Sequence, residues 1–445
     1  MRGLTATAAG AAVTVLLGLV QCAPAGDDDV VRLRGSRLEV VGVWSETEQE
    51  RFRAVLGRFE ARTGATVRFT SAADVGVPRM LEQRLAAGRP PDVALLPQPG
   101  LLRRLATEGL LVRPSPRVVA EVRRNYSPVW RRLGSFDHRV YGVWFKAANK
   151  SLVWYDVAAF ERAGVVPPTD LAGLVEVARA LTATGLPAWA VSAEEGWTLT
   201  DWFEDLYLRL AGPRRYNQLA SHRIRWTDPS VEETLREMAR ILRPSDIAGG
   251  VAGARATDFQ ESVVMTFGPQ RTAAMVHEAD FVAGVVTSRT TAELGVDADV
   301  FPFPDGESAA PTVVGGGDVA VVMKASDAAD ELMRYLASPD AAAVWASRGG
   351  FVSPNLNLDL SVYPDDISRF VARSLLDAGD GFRFDLSDLQ PPAFGGQEDT
   401  GMQRELRDFL TRRDVERTAT RLENAAAAAY AGERTAAATG LTAGR

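Results

Sequence analysis

The stretch Glu194–Leu210, EEGWTLTDWFEDLYLRL, holds side chains suited to polar recognition. Glu194, Glu195, Gly196 and Trp197 place two carboxylates and an indole on a glycine-containing turn, and Asp201 follows within the first turn of a helix. Carboxylates accept hydrogen bonds from hydroxyl groups, and an indole packs flat against C–H faces, so the group suits a polyhydroxylated ligand such as a sugar. The same turn reads equally as a core tryptophan beside solvated acids. From Leu199 onward, Leu199, Trp202, Phe203, Leu206 and Leu210 recur at helical spacing and predict one buried face. Glu204 and Asp205 are expected on its solvated side.

Other groups are weaker taken singly. Gly315-Gly316-Gly317-Asp318 would let backbone approach a ligand closely, and it reads as well as a tight corner. Without the Lys-Ser/Thr of a phosphate loop it does not point to a nucleotide. His277-Glu278-Ala279-Asp280 lacks the second histidine of a zinc helix, and with His138 and His222 the remaining histidines, no metal site is expected. The pairs Glu194/Glu195 and Glu204/Asp205 have the chemistry of glycosidase carboxylates, a question that their separation across a cleft decides. Neither a nucleophile elbow nor a nucleotide fingerprint is present, so no catalytic residue and no cofactor is expected. Seven of the nine tryptophans fall between Trp130 and Trp226; they read as core or as the wall of a carbohydrate cleft, and the acidic turns beside them favour the cleft.

The elements that position these groups come from a chain of 445 residues, too long for one ordinary core, so two domains or lobes are expected. Its 50 basic and 57 acidic residues leave a net charge of −7, and no dense Lys/Arg cluster marks a nucleic-acid partner. Arg2 precedes an apolar run ending at Val20, the length of a signal-peptide core and too short to span a bilayer. Leu19-Val20-Gln21-Cys22 resembles a bacterial lipobox, with Gln21 where a small residue is usual. Cys22 would then be the lipidated first residue of a mature protein held at the outer face of the cell membrane; ordinary cleavage after Ala23-Pro24-Ala25 is the alternative. As the single cysteine, Cys22 leaves the folded body without a disulfide or a cysteine nucleophile.

In chain order, Leu38–Val43 reads as a buried strand leading into Trp44-Ser45-Glu46. Thr47-x-x-Glu50 reads as a capping box for a helix striped by Phe52, Val55, Leu56 and Phe59. Strands at 65–70 and 92–96 with a helix at 80–87 between them predict a mainly parallel sheet, whose carboxyl ends at Trp44–Glu46 and Pro97-Gln98 are where ligands bind. Val140–Asp156 reads as two strands that cross to a second lobe. Helices follow at 157–163, 171–181 and 231–242, then a return through Phe301–Pro304, two apolar runs at 312–323 around the glycines, and a mostly helical remainder ending in 404–430.

With these residues in place, the chain resembles the extracellular solute-binding proteins of bacterial carbohydrate ABC importers, most of all their alpha-glucoside-binding branch. The likeness runs from Leu38 to about Leu422. It rests on the order and spacing of Ala87-Gly88-Arg89-Pro90-Pro91-Asp92, Asn149–Tyr155 (NKSLVWY), Thr200–Asp205 (TDWFED), Gly315–Asp318 and Gly349–Asn355 (GGFVSPN). The resemblance implies two α/β lobes of the periplasmic-binding-protein kind, joined by crossing strands, with a helical C-terminal region. It implies a leader over 1–21, a tether over 22–36, a first lobe from 37–147 and 312–360, a second lobe from 148–311, and C-terminal helices over 361–445 mainly on the second lobe. It implies a monomer that binds sugar without catalysis and passes it to permease subunits. Glu195, Trp197 and Asp201 would face the cleft from the second lobe; Trp44, Ser45 and Glu46 would form the first contact loop; and Gln98, Asn149, His277, Glu278, Gly316, Gly317 and Asp318 would line the remainder. Where many relatives carry an aromatic or an acid after the third strand, this chain has Pro97-Gln98-Pro99. A secreted glycosidase and a sugar-sensing lipoprotein without a transporter are the alternative readings.

Overall fold

The computed structural model describes residues 32–305, 311–396 and 400–442. The expected leader, Cys22 and most of the tether lie outside them. The end of that tether is docked: Leu33 is buried, and its N–H donates to the carbonyl of Thr63 at 2.7 Å.

Among the described residues eleven strands form the framework: β1 (Arg37–Gly42), β2 (Thr66–Ser71), β3 (Val93–Leu96), β4 (Ser135–Phe136), β5 (Arg139–Val140), β6 (Gly142–Asn149), β7 (Leu152–Asp156), β8 (Met275–His277), β9 (Ala298–Pro302), β10 (Val313–Val322) and β11 (Phe382–Phe384). The first sheet runs β11-β10-β3-β1-β2, and β6 also pairs with β10. Its early strands are parallel, as their alternation with helices predicts, but β10 runs antiparallel to both β3 and β6. The second sheet, β8-β7-β9, is antiparallel throughout. Two hydrophobic cores go with the two sheets, one around Phe52, Val93, Phe145 and Trp345, the other around Trp189, Trp202, Phe203 and Leu235. The molecule is therefore an α/β protein of two lobes.

Three passages join the lobes: β6 to β7, β9 to β10, and β11 to the short helix Leu386–Leu389. They are tied to one another. The N–H of Lys150 donates to Val314 at 2.9 Å, that of Phe303 to Ser151 at 2.9 Å, and that of Asp385 to Gly315 at 2.8 Å. Such a bonded triple crossing suits rigid-body hinge motion, because closure needs dihedral changes at only a few residues.

Several sequence expectations are corrected. Gly315–Gly317 is neither a corner nor a loop but the middle of β10, with a bulge between Asp318 and Val319. Glycine is required there by close approach: a Cβ on Gly315 would lie 2.5 Å from the Phe382 ring and 2.6 Å from the carbonyl of Ala148. The capping box is absent; the first helix begins at Glu46 after Ser45, whose side chain makes no capping bond. The C-terminal helix is two, Gly401–Arg412 and Val415–Thr442, broken where Arg413 takes a left-handed conformation with φ 54°. Of the C-terminal region, Ile367, Val371 and Leu375 pack in the first core, and Leu386, Leu406 and Leu422 in the second.

Candidate ligand-binding site

Helix Trp197–Ala220 starts after Gly196, whose φ of 87° suits glycine, and kinks at Gly212-Pro213. Leu199, Trp202, Phe203 and Leu206 are buried as expected, whereas Leu210, near the kink, is 38% exposed. The larger departure concerns two acids: Glu204 and Asp205, expected on a solvated face, are fully buried, as is Asp201. The first half of this helix, Thr198 to Leu208, is buried on every side, so all its faces meet protein and its carboxylates need buried partners.

Those partners converge where the lobes meet. Lys150, between β6 and β7, extends its ammonium to Asp201 Oδ1 at 2.9 Å and to Asp385 Oδ2. Glu204 accepts from the backbone N–H groups of Leu386 at 2.6 Å and Ser387 at 3.0 Å, which fixes the third passage to the helix. Asp205 accepts from the Ser151 hydroxyl at 2.5 Å, from His277 Nε2 at 2.9 Å and from Arg209 at 2.6 Å. One oxygen each from Asp201, Glu204 and Asp385 lie within 4.8 Å of one another, a spacing that suits a cation, and the Lys150 ammonium contacts two of the three.

Burial first, and then the crowding of like charge, shifts the pKa values of this group. Burial pushes Asp201 up to about 8, against the pull of Lys150 and with Asp385 adding to the rise. Burial raises Glu278 well above the carboxylate range, with the Asp201 charge next in effect. Asp385 goes the other way: burial opposes ionisation, but the Lys150 charge and the hydrogen bonds it receives bring it down to about 2. Burial depresses His277, which therefore serves as a neutral hydrogen-bonding ring. Two carboxylate oxygens of this group, Asp201 Oδ2 and Glu278 Oε1, are buried without a hydrogen-bond partner among the described residues. Acceptors left in that condition call for a donor.

A second charged group lies on the first-lobe side. Lys146 donates to Glu48 Oε1 at 2.5 Å and stands 5.6 Å from the Trp345 ring. It faces Asp318 and Asp280, each pushed up to about 6 by burial against the pull of Lys146.

The expected site residues divide accordingly. Trp197 is half-buried at the head of its helix, 5.7 Å from the Phe259 ring and 6.1 Å from the Phe281 ring, with the Lys150 ammonium 5.7 Å from its own ring centre. With Lys150, Asp201 and Glu278 it makes one constellation, which Gly316 borders through the Lys150 side chain. Glu195 is half-buried, accepts from the Phe259 N–H at 3.1 Å, and is raised by burial. Gln98 bonds Asp388 at 2.9 Å across the lobes. Gly317 and Asp318 lie on β10 opposite Ala147 and Lys146, in the first-lobe group. Trp44 is a core residue, edge-on to Phe52 at 4.7 Å and Trp345 at 4.8 Å, and its indole N–H reaches Asp318 at 3.2 Å. Ser45 and Glu46 are exposed, and the acid that reaches inward from this loop is Glu48. Asn149 is saturated by Asp280, Ser374 and Ser151. His277 is enclosed between Trp202 and Phe303, behind the constellation. Of the clustered tryptophans, Trp130, Trp144, Trp154, Trp189, Trp202 and Trp226 are core, so clustering was no guide to the cleft.

Sequence reasoning missed Lys146, Lys150, Glu48, Asp385 and Asp388. A signal existed. The chain has only three lysines, Lys146, Lys150 and Lys324, among its 50 basic residues, and two of them flank one crossing segment.

Two α/β lobes on a bonded triple hinge, with unsatisfied polar groups gathered between them, define a two-lobed receptor for a soluble ligand. Residues 44–343 match the family described as bacterial extracellular solute-binding protein, and the chain belongs to that family. It is 32% identical over 379 residues to the osmoprotective compounds-binding protein GgtB of Synechocystis sp., covering 83% of this chain and 87% of that protein. It is 31% identical over 386 residues to the alpha-glucosides-binding periplasmic protein AglE of Rhizobium meliloti, covering 83% of each. Among solved structures, the solute receptor AcbH, described as preferring β-D-galactopyranose, superposes with a TM-score of 0.75 at 19% identity over 89% of this chain and 99% of that one. A chitin oligosaccharide binding protein gives 0.73 at 16% identity, with the same coverage. At such identities these two speak for the fold. The family is extracellular, and no helix among the described residues is long and apolar enough to cross a membrane.

Proposed function

We propose that this protein is the substrate-binding lipoprotein of an ABC importer, which captures an alpha-glucoside or a related oligosaccharide between its lobes and delivers it to a permease. The observation that carries this reading is the pair of unpartnered buried acceptors, Asp201 Oδ2 and Glu278 Oε1, beside the half-buried ring of Trp197. Sugar hydroxyls both donate and accept, so they can pair these carboxyl oxygens in either protonation state, and a pyranose C–H face fits the indole. The alpha-glucoside binding for which AglE is named, at 31% identity across most of both chains, supports the alpha-glucoside class. Titration calorimetry against a panel of alpha-linked glucosides tests it. Saturable binding with no sugar released over hours is expected. Release of glucose would replace the receptor with a glycosidase, and no binding across the panel would retire the alpha-glucoside reading.

Anchoring is part of the same proposal. Lipidated Cys22 would carry more than one acyl chain and hold the monomer stably at the membrane, where a single chain is marginal. The protein is expected to sediment with membranes and Cys22→Ala to be released; a wild-type protein found wholly in the soluble fraction would mean cleavage after Ala25.

A further inference from the structure

A cavity of about 560 Å3 opens on another part of the junction, and none of the charged side chains described above lines it. Its walls are apolar, from Pro99, Val129, Leu133 and Phe384, and its rim carries Arg103, Arg132 and Arg383 with Asp380 as the one acid. Asn217, on the second half of the kinked helix, closes it from the second lobe. A shallower depression of about 440 Å3 shares Arg132 and Ser135 and adds Arg131 and His138. The surroundings are thus basic in a protein whose net charge is −7.

The disposition of the arginines separates this cavity from an ordinary solvated surface. Many arginines elsewhere meet carboxylates, as Arg84 meets Glu39 at 2.8 Å and Arg421 meets Glu405 at 2.6 Å, although Arg413 bonds a backbone carbonyl, that of Leu242. Arg383 is half-buried and donates to backbone carbonyls too, from Nη1 to Asp380 at 2.8 Å and Phe382 at 2.7 Å and from Nε to Pro213 at 3.4 Å. Among the described residues neither Arg383 nor Arg132 has a carboxylate ion-pair partner. Burial chiefly presses the Arg383 pKa down, Tyr216 and Asp380 act against it, and the Arg132 charge adds to the fall, so the two guanidinium groups repel each other across the rim. An oxyanion between them would relieve that repulsion, accepting the planar fork of Arg132 and a single bond from Nη2 of Arg383, whose other nitrogens already bond carbonyls. The aliphatic wall would take an apolar portion of the same molecule.

We propose that this cavity is a second ligand site, for a small organic anion bearing a phosphate or carboxylate, held by Arg132 and Arg383 and separate from the constellation around Trp197.

Phenyl phosphate is the probe, titrated into the whole protein by calorimetry at an ionic strength fixed with sodium chloride. Saturable binding is expected. Arg132→Ala should weaken it by about tenfold or more, the usual consequence of losing one charge-assisted contact. Arg132 is exposed and its side chain makes no hydrogen bond or ion pair among the described residues, so the variant should melt with the wild type. Arg132→Lys should recover part of the affinity, since it keeps the charge but not the fork. Trp197→Ala, in the other site, should bind phenyl phosphate as the wild type does. No saturable heat, equal affinity in Arg132→Ala, or loss of binding in Trp197→Ala would each overturn the assignment. Because sugar is absent from the titration, the result stands or falls apart from the proposed transport function.

Discussion

Lys150→Met is expected to cost about 3–5 kcal/mol of folding stability, as removing one member of a buried ion pair does when it strands the other. The ammonium faces Asp201 and Asp385 directly, and its charge also bears on Glu204, Asp388 and Glu278. Methionine keeps the length and the apolar stem while leaving several buried carboxylates with no cation. The loss should depend on pH. A carboxyl whose folded pKa exceeds its unfolded value supports the fold below the ordinary carboxylate range and withdraws that support as pH rises through the folded value. Asp388 at about 7 and Asp201 at about 8 already titrate this way. The wild type should therefore lose stability progressively as pH rises from about 4, where the unfolded carboxyls ionise, to about 8, where the folded ones have followed. Below about pH 6.5 His277, depressed by burial, works in the opposite sense, because it resists the charge that the unfolded chain accepts. In Lys150→Met the carboxyl pKa values rise further, so the deficit relative to wild type should be larger at pH 8 than at pH 5.5. Urea unfolding at the two pH values reads both effects. A variant as stable as wild type at pH 8 would mean that these acids are already protonated there and that Lys150 compensates nothing.

Trp197→Ala should weaken sugar binding by roughly thirtyfold or more, since a buried aromatic anchor contributes on the order of 2 kcal/mol. The ring caps the constellation from the head of its helix and lies against Phe259 and Phe281 instead of deep in the second core. Its truncation should consequently spare the ligand-free melting temperature, unlike truncation of a fully buried tryptophan, which costs about 3–5 kcal/mol. Calorimetry and a melting curve on the same preparation separate the two roles. A large fall in melting temperature with affinity preserved in the folded fraction would return Trp197 to structure.

Much of the fold was legible because its elements follow local periodicity. The strands at 37–42, 93–96 and 152–156 and the helices at 157–163, 171–183 and 229–241 lie within a few residues of where patterning puts them. Topology within β10 was not legible, because a glycine run has the same composition whether it turns or lies flat against a neighbour; what requires glycine there, the Phe382 ring and the carbonyls of Ala148 and Lys146, is distant in the chain. The acids of the long helix were misjudged for a related reason. Glu204 and Asp205 look solvated when judged by charge alone, yet the apolar residues on both sides of them already implied burial, and buried acids imply a distant cation. Trp44 shows the reverse error: an aromatic at a strand's carboxyl end fits the position of a ligand contact, and here it fills the first core.

The central place of β10 also orders the molecule in time. Along one edge it carries β6, and along the other β3 and then β11. It is synthesised only after the segment from Val153 to Phe303, which supplies much of the second core. While the ribosome is still working through that segment, the edges of β3 and β6 remain open and the first sheet has no middle. Closures between such distant parts of a chain are slow, since their entropic cost precedes their reward. A chain of an extracellular family has to cross a membrane, and a first lobe that cannot close before nearly all of the protein is made stays threadable for longest when threading is required.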